Sequence, residues 1–148
     1  MLRKYDPNDL PEILTLEQES QIAPWTEPIF QKCFDLGSEA WVLEKDGGVI
    51  GFIISLMHED ETHILNFSVR PGFQGQGFGS KLLQHVIDNG KANGISLVYL
   101  EVRRTNEAAI ALYKKLGFAK IGERKKYYVI GSKTEDALVY ALNFSSGL

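Results

Sequence analysis

Arg70-Pro71-Gly72-Phe73-Gln74-Gly75-Gln76-Gly77-Phe78-Gly79-Ser80 joins an apolar, strand-like run from Ile64 to Val69 to an amphipathic, helix-like run from Lys81 to Asn89. A turn this rich in glycine lets backbone N–H groups converge on one point, because no Cβ atom blocks the approach. The positive end of the following helix adds to that convergence, so the stretch suits a phosphate or pyrophosphate. It reads as a strand–turn–helix unit that binds a nucleotide-derived cofactor. The competing reading is an ordinary turn whose glycines cap the helix. Glycine at the alternate positions Gly75, Gly77 and Gly79 is costly in folding entropy unless the backbone must be approached closely, which favours the cofactor.

Spacing separates the known glycine loops. A P-loop requires G-x-x-x-x-G-K-[ST], and here the glycines lie too close together with no Lys-Ser/Thr pair after them. A dinucleotide fingerprint requires G-x-G-x-x-G in an N-terminal βαβ unit, with an acidic residue about 20 residues on. This loop runs G-x-G-x-G and sits in mid-chain. The remaining pattern, Gln-x-x-Gly-x-Gly at Gln74, Gly77 and Gly79 after Val69-Arg70-Pro71, resembles the acetyl-CoA pyrophosphate loop of the GCN5-related N-acetyltransferase (GNAT) superfamily.

The whole chain sets the bounds around that loop. At 148 residues it is read as a single domain over residues 1–144, with Ser145-Ser146-Gly147-Leu148 a disordered tail. No apolar run approaches the length of a membrane span, and Met1 to Asp6 lacks the apolar core of a signal peptide, so the expected compartment is the cytoplasm. The single cysteine, Cys33, excludes an internal disulfide and a cysteine-based zinc site. His58 and His63 flank three acids but match no metal-ligand spacing, and no metal is expected.

Charge is lopsided about a net −3. Residues 6 to 61 hold thirteen acids against two bases, and residues 103 to 126 hold eight bases against two acids. An acidic half could attract a cationic substrate and a basic segment a polyanionic cofactor; solvated helix faces would give the same pattern. The basic segment lacks the spaced aromatics of a nucleic-acid surface, so no nucleic-acid or membrane partner is expected.

The coarse pass predicts helices over Leu10–Gln21 and Pro28–Leu36, then strands over Ala40–Glu44 and Val49–Met57 around an Asp46-Gly47-Gly48 turn. A strand over Thr62–Val69 leads into the glycine loop and its helix. Ile95–Arg103 is the next strand, and a helix capped by Thr105 or Asn106 runs to Leu116 with Gly117 as its stop. Phe118–Gly122 and Ala137–Phe144 are the last strands, with Lys125–Ile130 and a Gly131-Ser132 turn between them. The expected class is α/β, a mixed sheet flanked by helices in the order α-α-β-β-β-α-β-α-β-β, which is also the order of the GNAT fold.

Glu101 lies in the otherwise apolar run Leu97-Val98-Tyr99-Leu100-Glu101-Val102, and alternation sets it on one face with Leu97, Tyr99 and Arg103. A carboxylate so placed needs a partner or a task, and burial would raise its pKa toward the range useful to a general base. A salt bridge to Arg103 or Arg104, or a strand end emerging into solvent, would explain it equally. Tyr113 shares a helical stripe with Ile110 and Leu116, so it reads either as core or as a general acid for a leaving thiolate. Asn106 reads as a helix cap or as a contact to a cofactor's amide arm.

Residues Leu100 to Phe118 resemble the L-E-V-R-x-x-N-x-x-A-x-x-L-Y-x-x-x-G-F segment of the RimI family, enzymes that acetylate the N-terminal alanine of a small-subunit ribosomal protein. Pro24-Trp25-Thr26 resembles that family's P-W-[ST], and Tyr127-Tyr128 with Glu135-Asp136-Ala137 resembles its Y-Y…E-D-A. The resemblance implies an acetyl-CoA-dependent N-acetyltransferase acting by direct transfer in a ternary complex. It implies Glu101 as general base and Tyr113 as general acid. It sets Phe67, Ser68, Val69, Gln74, Gly75, Gln76, Gly77, Phe78, Gly79, Ser80 and Asn106 against acetyl-CoA, and Trp25, Tyr127 and Tyr128 along the slot for a peptide or protein N-terminus, ribosomal by the same resemblance. Thr26 stands where Ser is commoner, Val129 where Pro is common and Tyr140 where Met is usual; these departures bear on the acceptor more than on the cofactor. The acidic turn Glu59-Asp60-Glu61 would favour a basic peptide. The rival readings on the same fold are acetylation of a small-molecule or other protein amine, and a non-catalytic acyl-CoA sensor.

Overall fold

The computed structural model describes residues 1–144; the expected tail, 145–148, lies outside the described residues. Seven strands form one sheet: β1 (Leu2–Lys4), β2 (Glu39–Lys45), β3 (Gly48–His58), β4 (Glu61–Val69), β5 (Leu97–Arg103), β6 (Ala119–Ile130) and β7 (Lys133–Asn143). Among the described residues four α-helices accompany them: α1 (Leu10–Ser20), α2 (Glu27–Asp35), α3 (Phe78–Ala92) and α4 (Glu107–Lys115). The sheet order is β1-β2-β3-β4-β5-β7-β6, and only β4 and β5 run parallel.

Strand alternation divides the core between the two faces of the sheet. Phe52 and Ile54 of β3 and Val42 of β2 pack with Leu10, Ile13 and Leu16 of α1 and Phe30 of α2. Their neighbours Ile53, Trp41 and Leu43 face the other way, onto Leu82, Leu83, Val86 and Ile87 of α3 and onto Tyr113 of α4. Val49 to Ser55 is therefore buried on both faces, which is why it reads as an unbroken apolar run. Asp46 and Gly47 join β2 to β3 with φ of 54° and 80°, the left-handed pair that a two-residue hairpin requires.

Two departures from the expected elements are physical. The sheet begins with the short strand β1, paired to β2 from Leu2 opposite Leu43; three residues are too few to show a period. The last hairpin is longer than expected, because Lys125–Ile130 continues β6 rather than linking two strands. Its register slips beside Lys120 and again between Arg124 and Tyr128, where the left-handed Lys126 (φ 50°) donates its N–H to the Asp136 carboxylate at 2.9 Å. Two bulges in an exposed, basic edge strand erase the alternation that would have marked it.

The feature that creates a site is the parting of β4 and β5. They pair from Glu61/Leu97 to Ile64/Leu100 and no further. Beyond that point β4 is held only by β3 and β5 only by β7. At the same point β4 carries an extra residue: Ile54 faces Asn66 and Ser55 faces Ile64, leaving Leu65 without a partner position. A bulge bends and twists its strand, so the two C-terminal halves diverge.

Gly51 shows how tightly β3 is held under this region. A Cβ there would lie 3.2 Å from the Ser68 carbonyl oxygen and 3.2 Å from Leu82 Cδ1. The carbonyl is fixed by the paired strand, so Gly51→Ala should destabilise the fold by about 1–3 kcal/mol. Chemical denaturation measures this; an unchanged midpoint would mean that the strands give way freely.

Candidate active site

Two cavities open where β4 and β5 part. The larger, about 350 Å³, is lined by Phe67, Ser68, Val69, Gln74, Gly75, Gly77, Gly79, Ser80 and Asn106 of the expected cofactor set. The smaller, about 140 Å³, is lined by Trp25, Glu101, Tyr113 and Tyr128 of the expected catalytic and acceptor sets, and also by Glu17 and Asn66. Gln21, Phe67, Arg103, Asn106 and Tyr113 line both, so the two cavities share a wall.

The larger cavity is built by the glycine loop. Gly75 and Gly77 have φ of 75° and 87°, conformations that a residue with a Cβ adopts only under strain, and nothing lies within 4 Å of where a Cβ would be. Gly79 is needed for another reason: its Cβ would meet the Phe67 ring at 3.3 Å and Leu112 Cδ2 at 3.4 Å. The first intrahelical bond of α3 runs from the Lys81 N–H to Gly77, which leaves the N–H groups of the first turn pointing out of the helix. An open backbone cradle at the start of a fifteen-residue helix fits a pyrophosphate.

Of the expected cofactor set, Gln76 and Phe78 lie outside this lining. Gln76 donates to the Gly72 carbonyl at 3.4 Å, and Phe78 packs edge-on against Phe73, with Lys45 above both rings. Asn106 does cap α4, its Oδ1 accepting from the Ala109 N–H at 3.2 Å, and it lines the cavities as well. The cap fixes this residue in the wall that the two cavities share.

Strand alternation also orients the backbone. Arg70 donates its N–H to Ile50 on β3, so Val69 and Phe67 turn their polar groups toward the gap. The carbonyls found there are satisfied by neighbours. Gln74 Nε2 donates to Val69 at 2.9 Å, and Gln21 Nε2 donates to Phe67 at 3.4 Å and to Ser68 Oγ at 2.6 Å. The Phe67 N–H donates to Asn66 Oδ1 at 2.7 Å.

Glu101 stands in the smaller cavity with its side chain only 6% exposed. His63 Nε2 lies 2.6 Å from Oε1, and Arg124 Nε donates to Oε2 at 3.2 Å. The partners differ from the expected Arg103 and Arg104; Arg103 instead meets Glu135 at 3.4 Å. The expectation of a raised pKa is corrected here. Burial is the largest single influence and acts upward, but the hydrogen bond and charge of His63 with those of Arg124 outweigh it and hold the carboxyl below its ordinary range. His63 is fixed in turn by stacking on Tyr99, ring centroids 4.4 Å apart.

Tyr113 is 6% exposed and touches the rings of Phe67, Phe118 and Tyr140, so it is a core residue as well as a cavity wall. Burial, reinforced by Tyr128, pushes its phenol up. Trp25 packs against Phe30, and Tyr128 lines the smaller cavity; Tyr127, 47% exposed, lies outside that lining and meets Tyr128 edge-on at 5.1 Å. The Glu135-Asp136 pair acts as a brace. Glu135 accepts from the Thr105 N–H at 3.0 Å and Asp136 from Lys126, which fixes the start of α4 against the bulge that presents the two tyrosines. The acidic turn 59–61 lines neither cavity.

Sequence reasoning missed His63 and Glu17. His63 was legible only as one of two histidines in an acidic turn. Glu17 sits on the buried stripe of α1, one residue after Leu16, and is 1% exposed. Burial raises its pKa against the pull of the Trp25 N–H and Asn66 Nδ2, both of which donate to it.

Residues 8–118 match the Acetyltransferase (GNAT) family. Over 140 residues, 95% of each chain, the sequence is 36% identical to the [Ribosomal protein bS18]-alanine N-acetyltransferase of Escherichia coli strain K12. It is 32% identical over 133 residues to a putative enzyme of the same description from Bacillus subtilis, covering 88% of this chain and 87% of that one. The crystal structure of the ribosomal-protein-S18-alanine N-acetyltransferase from Escherichia coli superposes with a TM-score of 0.91 at 34% identity, covering 100% of this chain and 97% of that one. The glycine cradle at α3, the parted strands and these similarities together make this chain a member of the GNAT family of N-acetyltransferases.

Proposed function

We propose that this enzyme transfers the acetyl group of acetyl-CoA to the N-terminal α-amine of a protein, with the N-terminal alanine of ribosomal protein bS18 as its acceptor. The observation that carries this reading is the pair of cavities sharing Phe67 and Tyr113, one bounded by the glycine cradle and the other by Glu101, Trp25 and Tyr128. Such an arrangement lets two substrates meet without a covalent enzyme intermediate. The near-full-length similarity to bS18-alanine N-acetyltransferases supports the choice of acceptor.

Acetyl-CoA supplies an acyl group activated as a thioester; the chain supplies position, charge and protons. The N–H groups at Gly77 to Ser80 hold the pyrophosphate. Val69, whose amide faces the gap between β4 and β5, donates to the thioester oxygen and stabilises the negative charge that builds there. Glu101 takes a proton from the α-ammonium, the freed amine forms the C–N bond, and the nitrogen then sheds its second proton to solvent as the C–S bond breaks. Tyr113, its phenol kept protonated by burial, gives its proton to the departing sulfur. The depressed pKa of Glu101 keeps the carboxylate ionised near neutral pH at some cost in driving force, and His63 fixes its orientation.

Glu101→Gln should lower kcat by about 10²–10⁴-fold, and Tyr113→Phe should lower kcat while keeping its ring packing and stability. CoA release with an Ala-initiated bS18 peptide, its pre-acetylated form, a Lys-only peptide and spermidine tests the acceptor. Turnover of the free-Ala peptide alone is expected; turnover of only spermidine or the Lys peptide would overturn it.

The carboxyl of Glu101 should titrate below the ordinary value of about 4.3 for a glutamate. Because the folded-state pKa is lowered, the stability from its partners is present above the unfolded value and lost as pH falls through the folded one. Arg124→Met should raise the titration midpoint and shrink that acid-side loss. Carboxyl-detected NMR reads both, and a midpoint at or above the ordinary value in the unsubstituted protein would refute the ion-pair account.

A further inference from the structure

Glu17 holds a buried carboxylate oxygen with no partner among the described residues. Both hydrogen bonds at this side chain go to one atom: Oε2 accepts from the Trp25 N–H at 2.9 Å and from Asn66 Nδ2 at 3.0 Å. Oε1 is buried and has no partner among the described residues. An unsatisfied buried acceptor is destabilising, and more so when it carries charge. The other unpartnered buried side-chain atoms among the described residues are the hydroxyls of Ser38 and Thr62, which line neither cavity.

A purely structural account explains only half of this group. Tying the α1–α2 loop at Trp25 to the bulged segment of β4 at Asn66 needs one oxygen, and glutamine would supply it with no cost of burying charge. The second oxygen has the chemistry to receive a ligand that brings N–H donors. Glu17 lines the smaller cavity together with Glu101, whose own oxygens are engaged by His63 and Arg124. Of the carboxylate oxygens of these two lining residues, Glu17 Oε1 is the one with no partner among the described residues.

We propose that Glu17 Oε1 is the receptor for the acceptor's α-amino group, accepting one of its N–H bonds while Glu101 takes the proton that leaves. This rests on the acceptor cavity assigned above. A primary ammonium brings three N–H donors and a positive charge to a site with a surplus acceptor. The acetylated product brings one N–H and no charge, so Glu17 binds the substrate in preference to the product and helps the site discharge it. The anchor also sets the direction of the amine's lone pair, since an amine held at one N–H cannot rotate freely.

The geometry supplies a clean test. Glu17→Gln can keep its carbonyl oxygen at the Oε2 position, retaining both hydrogen bonds, and changes only Oε1, from an acceptor to an NH₂ donor. The KM for the acceptor amine should rise by about tenfold or more, with acetyl-CoA affinity and Tm unchanged. An acceptor KM within twofold of the parent overturns the proposal, and so does a parallel loss of acetyl-CoA affinity or Tm, which would make Glu17 structural. In the unsubstituted protein, the carboxyl resonance of Glu17 should shift on titration with alaninamide and stay still with N-acetyl-alaninamide; no shift with alaninamide also overturns it. If the parent enzyme acetylates spermidine and no peptide, the proposed acceptor fails, and the spermidine KM of Glu17→Gln still decides the anchor.

Discussion

The parting of two parallel strands is the constraint on which the rest of this structure depends. A parallel pair that stayed in register from Glu61/Leu97 to the ends of β4 and β5 would satisfy every backbone group and leave no site. Pairing instead stops at Ile64/Leu100, beside the extra residue Leu65, and the polar groups of the diverging strand ends must find other partners. Gln21 and Gln74 take the exposed carbonyls of Phe67 and Val69. The Phe67 N–H donates to Asn66 Oδ1, and the Val69 amide is turned to the gap, so the defect in the sheet supplies the donor that the proposed mechanism uses.

The glycine loop answers the same geometry from the other side. β4 must hand over to α3 within a few residues, and the helix must lie close enough to the strand for Gly79 to meet Phe67. Gly75 and Gly77 turn the chain through left-handed conformations to do so. Close packing and an open N-terminal cradle are both satisfied by small residues, which is why one stretch of sequence carries so much of the site.

Two glutamates share the smaller cavity and are pushed in opposite directions by their surroundings. His63 and Arg124 hold the Glu101 carboxyl down against its burial; at Glu17 burial prevails over two neutral N–H donors and holds the carboxyl up. Environments that separate two carboxylates in this way commonly mark different roles in one site. The brace of Glu135 and Asp136 serves that site at a distance. By fixing Thr105 and Lys126, it couples the start of α4, where Asn106 lines both cavities, to the bulge carrying Tyr128.

Local chemistry made much of this readable from residues alone. Periods of apolar residues, the Asp46-Gly47 turn, the Asn106 cap and the glycine loop each act within a few positions of themselves, so they announced the helices, most of the strands and the open glycine cradle. Trp25, Glu101, Tyr113 and Tyr128 were read through resemblance, and the fold assembles the smaller cavity that they line from α1, β4, β5, α4 and β6. Long-range placement was not readable. Whether Glu101 meets Arg103, Arg104 or Arg124 depends on the register of β6 against β7, and two bulges set that register. Glu17 looked like one acid among many on a helix, because the partners that hold it, Trp25 and Asn66, are 8 and 49 residues away. Propensity and turn chemistry are properties of a short segment; a pKa and a missing hydrogen-bond partner are properties of what the fold brings alongside.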